Sequence, residues 1–98
     1  MIGVVARIKV TPGKEHGFEE ICAQLTAQVL EHEPGCLLYS VCRSQGQEGL
    51  YVTMEQYVDM DALEKHQTAS YIVETEPLHA EYFAETPTIE YLYGLATQ

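Results

Sequence analysis

Aliphatic side chains occupy every second position at the start of the chain. They are Ile2, Val4, Ala6, Ile8 and Val10. Val5, Arg7 and Lys9 fall on the other side, so the two-residue period predicts a strand over residues 2–10. The TPGK turn at 11–14 ends this strand and places Pro12 where a helix can begin.

Between Glu15 and His32 the spacing of the apolar positions changes from two residues to three and four. The apolar positions are Phe18, Ile21, Cys22, Leu25, Val29 and Leu30. This spacing predicts an amphipathic helix of about four to five turns. The EPG segment at 33–35 ends the helix, because a helix rarely continues through the residue before a proline and glycine tolerates the turn that follows.

The rest of the chain predicts a hairpin, a broken helical stretch and a last strand. CLLYSVCR (36–43) and LYVTMEQY (50–57) are strands joined by SQGQEG, whose glycines allow positive φ. Asp59 is the predicted N-cap of a short helix ending at Gln67. Residues 70–84 form a second helical stretch interrupted or restarted at Pro77, and residues 88–95 form the final strand.

The predicted order is therefore β-α-β-β-α-β. This order is typical of a ferredoxin-like α+β domain, with an antiparallel sheet and helices on one face, and one such domain fills residues 1–98. Both faces of the strands are apolar, yet two helices can cover only one. We therefore predict a homodimer in which two sheets pack face to face.

Composition narrows the possible partners and locations. Five Lys and Arg residues against fifteen Asp and Glu give a net charge of −10, which disfavours binding to nucleic acids and to membrane surfaces. The N-terminus lacks the layout of a secretory signal, so a cytoplasmic location is expected. Cys22, Cys36 and Cys42 are an odd number without CxxC spacing, so we expect free thiols and no metal site.

His66 is the best candidate for chemistry. At about 100° per residue around a helix, it falls at the edge of the apolar stripe that contains Met60 and Leu63. Its imidazole is predicted to face the crevice between helix and sheet, where a partly desolvated group can still reach a ligand. A histidine that only complements the helix dipole is the structural alternative.

Tyrosines are the second candidate feature. Tyr39, Tyr51 and Tyr57 share one face of the hairpin, and Tyr91 and Tyr93 lie in the last strand. Rings with a polar tip suit a pocket for a flat, partly polar ligand, although aromatic residues are also common in strands. The sequence contains no GxGxxG or P-loop motif and no nucleophile elbow.

The segment EQYVDMDALEKHQ (55–67) resembles the signature of the antibiotic biosynthesis monooxygenase family. In that family an E-x-[YW]-x-D-x-x-A-L-x-x-H run joins the third strand to the next helix. The matching residues are Glu55, Tyr57, Asp59, Ala62, Leu63 and His66. EPGCLLY (33–39) is similar to the family's entry into the second strand, and the likeness spans nearly the whole chain.

The resemblance implies a dimeric α+β barrel and, among several activities, cofactor-independent oxygenation of small phenolic or quinol-type substrates. His66 is then expected to be the base. The substrate-binding residues would be Tyr39, Tyr51, Tyr57 and Arg7, with Arg43 as an alternative to Arg7. No flavin, metal or other cofactor is expected, and a small aromatic ligand is the expected partner.

Other family activities give alternatives. Haem-degrading relatives use an Asn in the first strand, a Trp and a second-helix His. Val5, Ala6 and Arg7 stand at the Asn position here and the chain has no Trp, so haem degradation is disfavoured. An isomerase of a small oxygenated metabolite, similar to relatives that process the autoinducer-2 signal, stays open. A non-catalytic ligand-binding dimer is the third possibility.

Overall fold

The computed structural model describes residues 1–96 and has the predicted ferredoxin-like α+β architecture. The elements are β1 (Ile2–Lys9), α1 (Glu15–His32), β2 (Cys36–Arg43), β3 (Leu50–Tyr57), α2 (Met60–Thr68), α3 (Ser70–Val73), a 3-10 helix (Glu76–Leu78), α4 (His79–Tyr82) and β4 (Thr88–Tyr93). The long helix and the central hairpin begin and end where the hydrophobic periods predict. The last strand ends at Tyr93, two residues earlier than predicted.

The four strands form one antiparallel sheet in the order β2-β3-β1-β4. Val4 pairs with Glu55 on β3 and with Tyr91 on β4, so these three side chains share the face that points toward the helices. A register shift between Cys36 and Leu38 interrupts the pairing of β2 with β3. After it, Tyr39 lies opposite Glu55, and this register brings the site residues of two strands together.

The core lies between the inner face of the sheet and the helices, in two clusters. One contains Ile8, Val10, Phe18 and Tyr51; the other contains Ile2, Val4, Tyr57 and Leu63. Leu30 belongs to the apolar set of α1 but is 87% exposed. It follows the buried Val29 by one residue, and that step turns its side chain about 100° away from the sheet.

Residues 70–83 fold as short pieces, as the proline predicts. Pro77 lies at the start of the 3-10 helix, and α3, the 3-10 helix and α4 contain no buried residue. Backbone hydrogen bonds from Thr11 N to Tyr82 O and from Ala84 N to Lys9 O, both 2.8 Å, attach the end of this segment to the β1 region. The segment therefore covers the inner face of the sheet, and its partly buried Tyr82 and Phe83 pack against the core cluster that contains Phe18.

The outer face of the sheet carries exposed apolar side chains. Leu38 is 39% exposed, Met54 41% and Leu92 43%, on three different strands. These exposures agree with the predicted apolar outer face, and the homodimer inferred from it stays a prediction. Within residues 1–96, no helix is long and apolar enough to cross a membrane.

Candidate active site

The short helix α2 starts at the predicted N-cap and ends its second turn at a buried histidine. Asp59 has extended backbone angles, and its Oδ1 accepts a hydrogen bond from the Ala62 amide at 2.9 Å. Leu63 and His66 are the buried residues of the helix, three positions apart and therefore on one face. His66 is only 7% exposed, so its imidazole lies inside the protein rather than at a solvated helix end.

The EPG turn brings the end of α1 against α2. A Cβ atom on Gly35 would lie 2.7 Å from the Cβ of Ala62, so no larger residue fits without movement. The carbonyl of Gly35 also accepts a hydrogen bond from the Val58 amide at 2.9 Å. The glycine is thus required for close approach, and this approach places Glu33 beside His66.

Glu33 holds one nitrogen of the imidazole. Nδ1 of His66 lies 2.9 Å from Oε1 and 3.1 Å from Oε2 of Glu33. Both side chains are only 9% exposed. An ionised carboxylate can only accept, so Nδ1 carries the proton and Nε2 is the nitrogen left for other chemistry. The hydroxyl of Tyr71, on α3, also donates to Glu33.

Glu55 lies on the other side of the ring. Its Oε1 is 3.8 Å from Nε2 of His66, within ion-pair range but too far for a hydrogen bond. The hydroxyls of Tyr57 and Thr53 donate to Glu55 at 2.6 and 3.1 Å. The rings of Tyr57 and Tyr39 lie 5.3 and 5.4 Å from the imidazole, centroid to centroid, and fix its position by packing.

A cavity of about 280 Å³ opens beside this group, between the sheet, α1 and the segment that contains α3 and α4. Its polar wall is formed by Tyr39, Thr53, Glu55 and His66. Apolar side chains form most of the rest, among them Phe18, Ile21, Leu25, Ile72, Phe83 and Ile89. Glu33 does not line this space, so Nδ1 points away from the cavity and Nε2 lies on the cavity side.

Three tyrosines lie near His66, and two of them donate hydrogen bonds, Tyr57 to Glu55 and Tyr71 to Glu33. Burial, and then the neighbouring Glu55, raise the pKa of Tyr57 and of Tyr39 above the usual phenol range. Burial and the hydrogen bond to Glu33 raise the pKa of Tyr71 in the same direction. All three therefore stay protonated at neutral pH, and proton removal at this site falls to His66 or Glu55.

The structure brings together some of the predicted site residues and separates others. His66 and Tyr39 line the cavity, and Tyr57, which is fully buried, packs beneath the imidazole. Arg7 lies opposite Val52 on β3, on the outer face of the sheet, and does not line the cavity.

Tyr51 lies in a different group, at an open groove between α1 and β2. Its hydroxyl donates to Glu19, and Arg43 binds both carboxylate oxygens of Glu19 at 3.0 and 3.1 Å. The bonds from Tyr51 and then from Arg43 lower the pKa of Glu19. Burial, and then the bond to Glu19, raise the pKa of Tyr51 to about 12.

Sequence reasoning did not assign Glu33, Thr53 or Tyr71 to the site. Glu33 stands next to Glu31 and His32 at a helix end, where adjacent side chains usually spread apart. The available clue is that Glu33 opens the EPGCLLY segment and Glu55 opens the EQYVDMDALEKHQ segment. In the structure these two carboxylates flank one imidazole. Across the described residues, no three His, Cys, Asp or Glu side chains are arranged to hold a metal ion.

Comparisons with known proteins relate this chain to a known family. The model of the family described as "Antibiotic biosynthesis monooxygenase" matches residues 1–78. A Caulobacter crescentus protein, provisionally assigned as an antibiotic biosynthesis monooxygenase, has a crystal structure with a TM-score of 0.93 and 41% identity, covering 97% of this chain and 90% of that one.

Two more distant structures share the fold and some sequence. A conserved Methanosarcina mazei protein gives a TM-score of 0.87 at 27% identity, covering 93% of this chain and 89% of that one. A Pseudomonas aeruginosa protein gives a TM-score of 0.86 at 27% identity, covering 97% of this chain and 94% of that one. No curated protein matches the chain.

Proposed function

The chain belongs to the antibiotic biosynthesis monooxygenase family, and we propose that it is a cofactor-independent monooxygenase of a small phenolic or quinol-type substrate. The observation that carries the proposal is the orientation of His66. Glu33 fixes its Nδ1 at 2.9 Å, and Nε2 is left on the side of a half-open, mainly apolar cavity. This arrangement is typical of a general base oriented by a carboxylate.

The proposed reaction starts with proton transfer. Nε2 of His66 removes a phenolic proton, and the resulting electron-rich anion passes one electron to dioxygen. The substrate radical and superoxide then combine at a ring carbon to form a peroxide, which the imidazolium protonates. Loss of the proton on that carbon breaks the O–O bond. One oxygen atom stays as a carbonyl and the other leaves as water, so phenol and dioxygen give quinone and water.

The cavity suits such a substrate in size and lining. Ligand pockets usually enclose about 300–1,000 Å³, and this cavity of about 280 Å³ lies just below that range, which favours a small ligand of one or two rings. Phe18, Ile72 and Phe83 offer apolar contacts to a ring. The hydroxyls of Tyr39 and Thr53 stand beside His66 on the polar wall, where they can bond substrate oxygens.

Dioxygen consumption tests the proposal. A panel of menadiol-type quinols and simple dihydroxyarenes is incubated aerobically with wild type, His66→Ala and His16→Ala, after subtraction of uncatalysed oxidation. His16 is a suitable control because its side chain is 89% exposed on α1, outside the cavity. We expect His66→Ala to lose about 10²- to 10⁴-fold in rate, the usual contribution of a general base. Equal turnover by wild type and His66→Ala would refute the role of His66.

One observation favours a second candidate function. His66 and Glu55 are two proton-accepting groups on one cavity wall, 3.8 Å apart, and such a pair can move a proton between two carbons of a small oxygenated metabolite. That reaction is an isomerisation and consumes no oxygen. Turnover that continues at an unchanged rate under anaerobic conditions would identify an isomerase, whereas the oxygenase stops.

A further inference from the structure

Two acidic residues line the cavity from different elements. Glu55, with a side chain only 11% exposed, lies beside His66 on β3. Glu76, on the 3-10 helix, lines the cavity from the covering segment. His79 also lines it, with its ring stacked on Phe83 at 4.5 Å between centroids. Two acidic residues, one largely buried and one exposed, therefore line the space that a ligand would fill.

Positive side chains lie elsewhere. All five Lys and Arg residues of the chain fall within residues 1–96, and none of them lines the cavity. Three are paired with carboxylates: Lys14 with Glu81, Arg43 with Glu19 and Lys65 with Asp61. Arg7 and Lys9 lie on the outer face of β1, opposite Val52 and Leu50.

The histidines do not reverse this charge. With both rings neutral, Glu55 and Glu76 leave the cavity wall with two negative charges. With His66 and His79 both protonated, the wall is neutral at most, and Glu33 adds a negative charge directly behind His66. A substrate carboxylate or phosphate would then enter a cavity whose wall has no net positive charge, which disfavours its binding.

We propose that the cavity selects uncharged substrates, and that Glu55 and Glu76 are specificity-determining residues that reject carboxylated or phosphorylated ones. This inference rests on the proposed function, which supplies the premise that the ligand is aromatic. It deepens that proposal by restricting the substrate to a neutral phenol or quinol, and it disfavours a phosphorylated metabolite as the substrate of an isomerase at this site.

A pair of ligands that differ in charge but hardly in shape tests this selectivity. 1-Hydroxy-2-naphthamide and 1-hydroxy-2-naphthoate carry an amide and a carboxylate at the same ring position. Their dissociation constants for the wild-type protein are measured by isothermal titration calorimetry at pH 7.5 without oxygen. We expect the carboxylate to bind at least about tenfold more weakly than the amide, because unpaired like charges at close range oppose binding.

Two variants of equal net charge show whether a carboxylate in the cavity wall causes the difference in affinity between the two ligands. Glu76→Gln removes a charge from the cavity wall, and Glu20→Gln removes one from the exposed surface of α1, where Glu20 pairs with His16. We expect Glu76→Gln to reduce the difference between the two ligands several-fold, and Glu20→Gln to leave it unchanged. Glu55→Gln, which keeps the shape of the polar wall, is expected to act in the same direction as Glu76→Gln.

Each outcome decides the proposal. Carboxylate binding as tight as amide binding would overturn it, as would a failure of both ligands to bind. An unchanged ratio in both cavity variants would show that these carboxylates do not set the selectivity. Because binding is measured without turnover, selective binding by a protein that consumes no oxygen would uphold this inference and refute the oxygenase.

Discussion

Tyr57 connects the core of the protein to its candidate site. It is fully buried, and its hydroxyl donates to Glu55 at 2.6 Å. Glu55 has little access to water and accepts hydrogen bonds from two side chains, Tyr57 and Thr53. A residue that sequence reasoning assigned to substrate binding thus supports the carboxylate next to the imidazole.

Replacement of Tyr57 by phenylalanine is expected to destabilise the fold. The ring still fills its space, but Glu55 loses a donor, and an unsatisfied buried polar group costs about 1–3 kcal/mol. Urea denaturation measures the free energy of unfolding. Tyr93→Phe is the control, because Tyr93 is 80% exposed and its hydroxyl is expected to contribute nothing. Equal loss in both variants would contradict this role of Tyr57.

At the same scale, the sequence predicted the position of His66 but not its partners. Helical spacing places the residue at the edge of an apolar stripe, as observed. The contact with Glu33 joins residues 33 positions apart and depends on the angle between the EPG turn and α2. Local periodicity contains no information about such an angle, so Glu33 could not be assigned.

The motif residues explain how the elements are joined. Asp59 starts α2, Ala62 meets Gly35 and Leu63 packs into the cluster with Tyr57. These contacts fix α2 against the EPG turn and the third strand. The EPG turn and the third strand both pack against α2, and this packing places Nε2 of His66 beside Glu55.

Replacement of Gly35 by alanine is expected to separate these elements. Its Cβ would lie 2.7 Å from the Cβ of Ala62, and overpacking of this kind typically costs about 1–3 kcal/mol. We also expect lower oxygenase activity, since movement of the turn carries Glu33 away from His66. Gly46→Ala is the matched control, because nothing lies within 4 Å of a Cβ at that position.

A second substitution tests whether contact with Ala62 causes the destabilisation in Gly35→Ala. In the Gly35→Ala, Ala62→Gly double variant the crowding methyl group of Ala62 is gone. The unfolding free energy is expected to exceed the value calculated by adding the two single effects. Strict additivity would show that the two positions are not in steric conflict.

Element boundaries were the most predictable part of the fold. The change from a period of two to a period of three and four gave β1 and α1 closely, because each has one buried face. The EPG and SQGQEG turns bounded β2 and β3. Residues 70–84 were predicted only as a broken helical stretch. They contain no buried residue in α3, the 3-10 helix or α4, so no apolar period defines where each short piece begins.

At the scale of the whole molecule, the outer sheet face remains without a cover in the single chain. Met54 and Val5 lie opposite each other on the central strands β3 and β1, with Leu38 and Leu92 on the edge strands. We predict that light scattering gives twice the chain mass of 11.0 kDa. Met54→Lys is expected to shift the molecule toward the monomer, because it adds a charge at the centre of this face.

Gln24→Lys is the control for the dimer prediction. Gln24 is exposed on α1, on the helical side of the molecule, and the substitution introduces the same side chain. The mass that light scattering gives for Gln24→Lys is expected to equal the wild-type mass. A wild-type monomer at micromolar concentration, or a Met54→Lys variant that dimerises as well as Gln24→Lys, would contradict face-to-face packing.

The claim that His66 is the base is tested most directly by chemical rescue. In His66→Ala the ring is replaced by a space next to Glu33 and Glu55, which added imidazole can enter. With a quinol that wild type oxygenates, we expect the variant to lose about 10²- to 10⁴-fold in rate and to regain activity saturably with imidazole. His16→Ala is expected to be insensitive to imidazole. A folded His66→Ala variant that oxygenates the substrate at the wild-type rate without imidazole would contradict the claim.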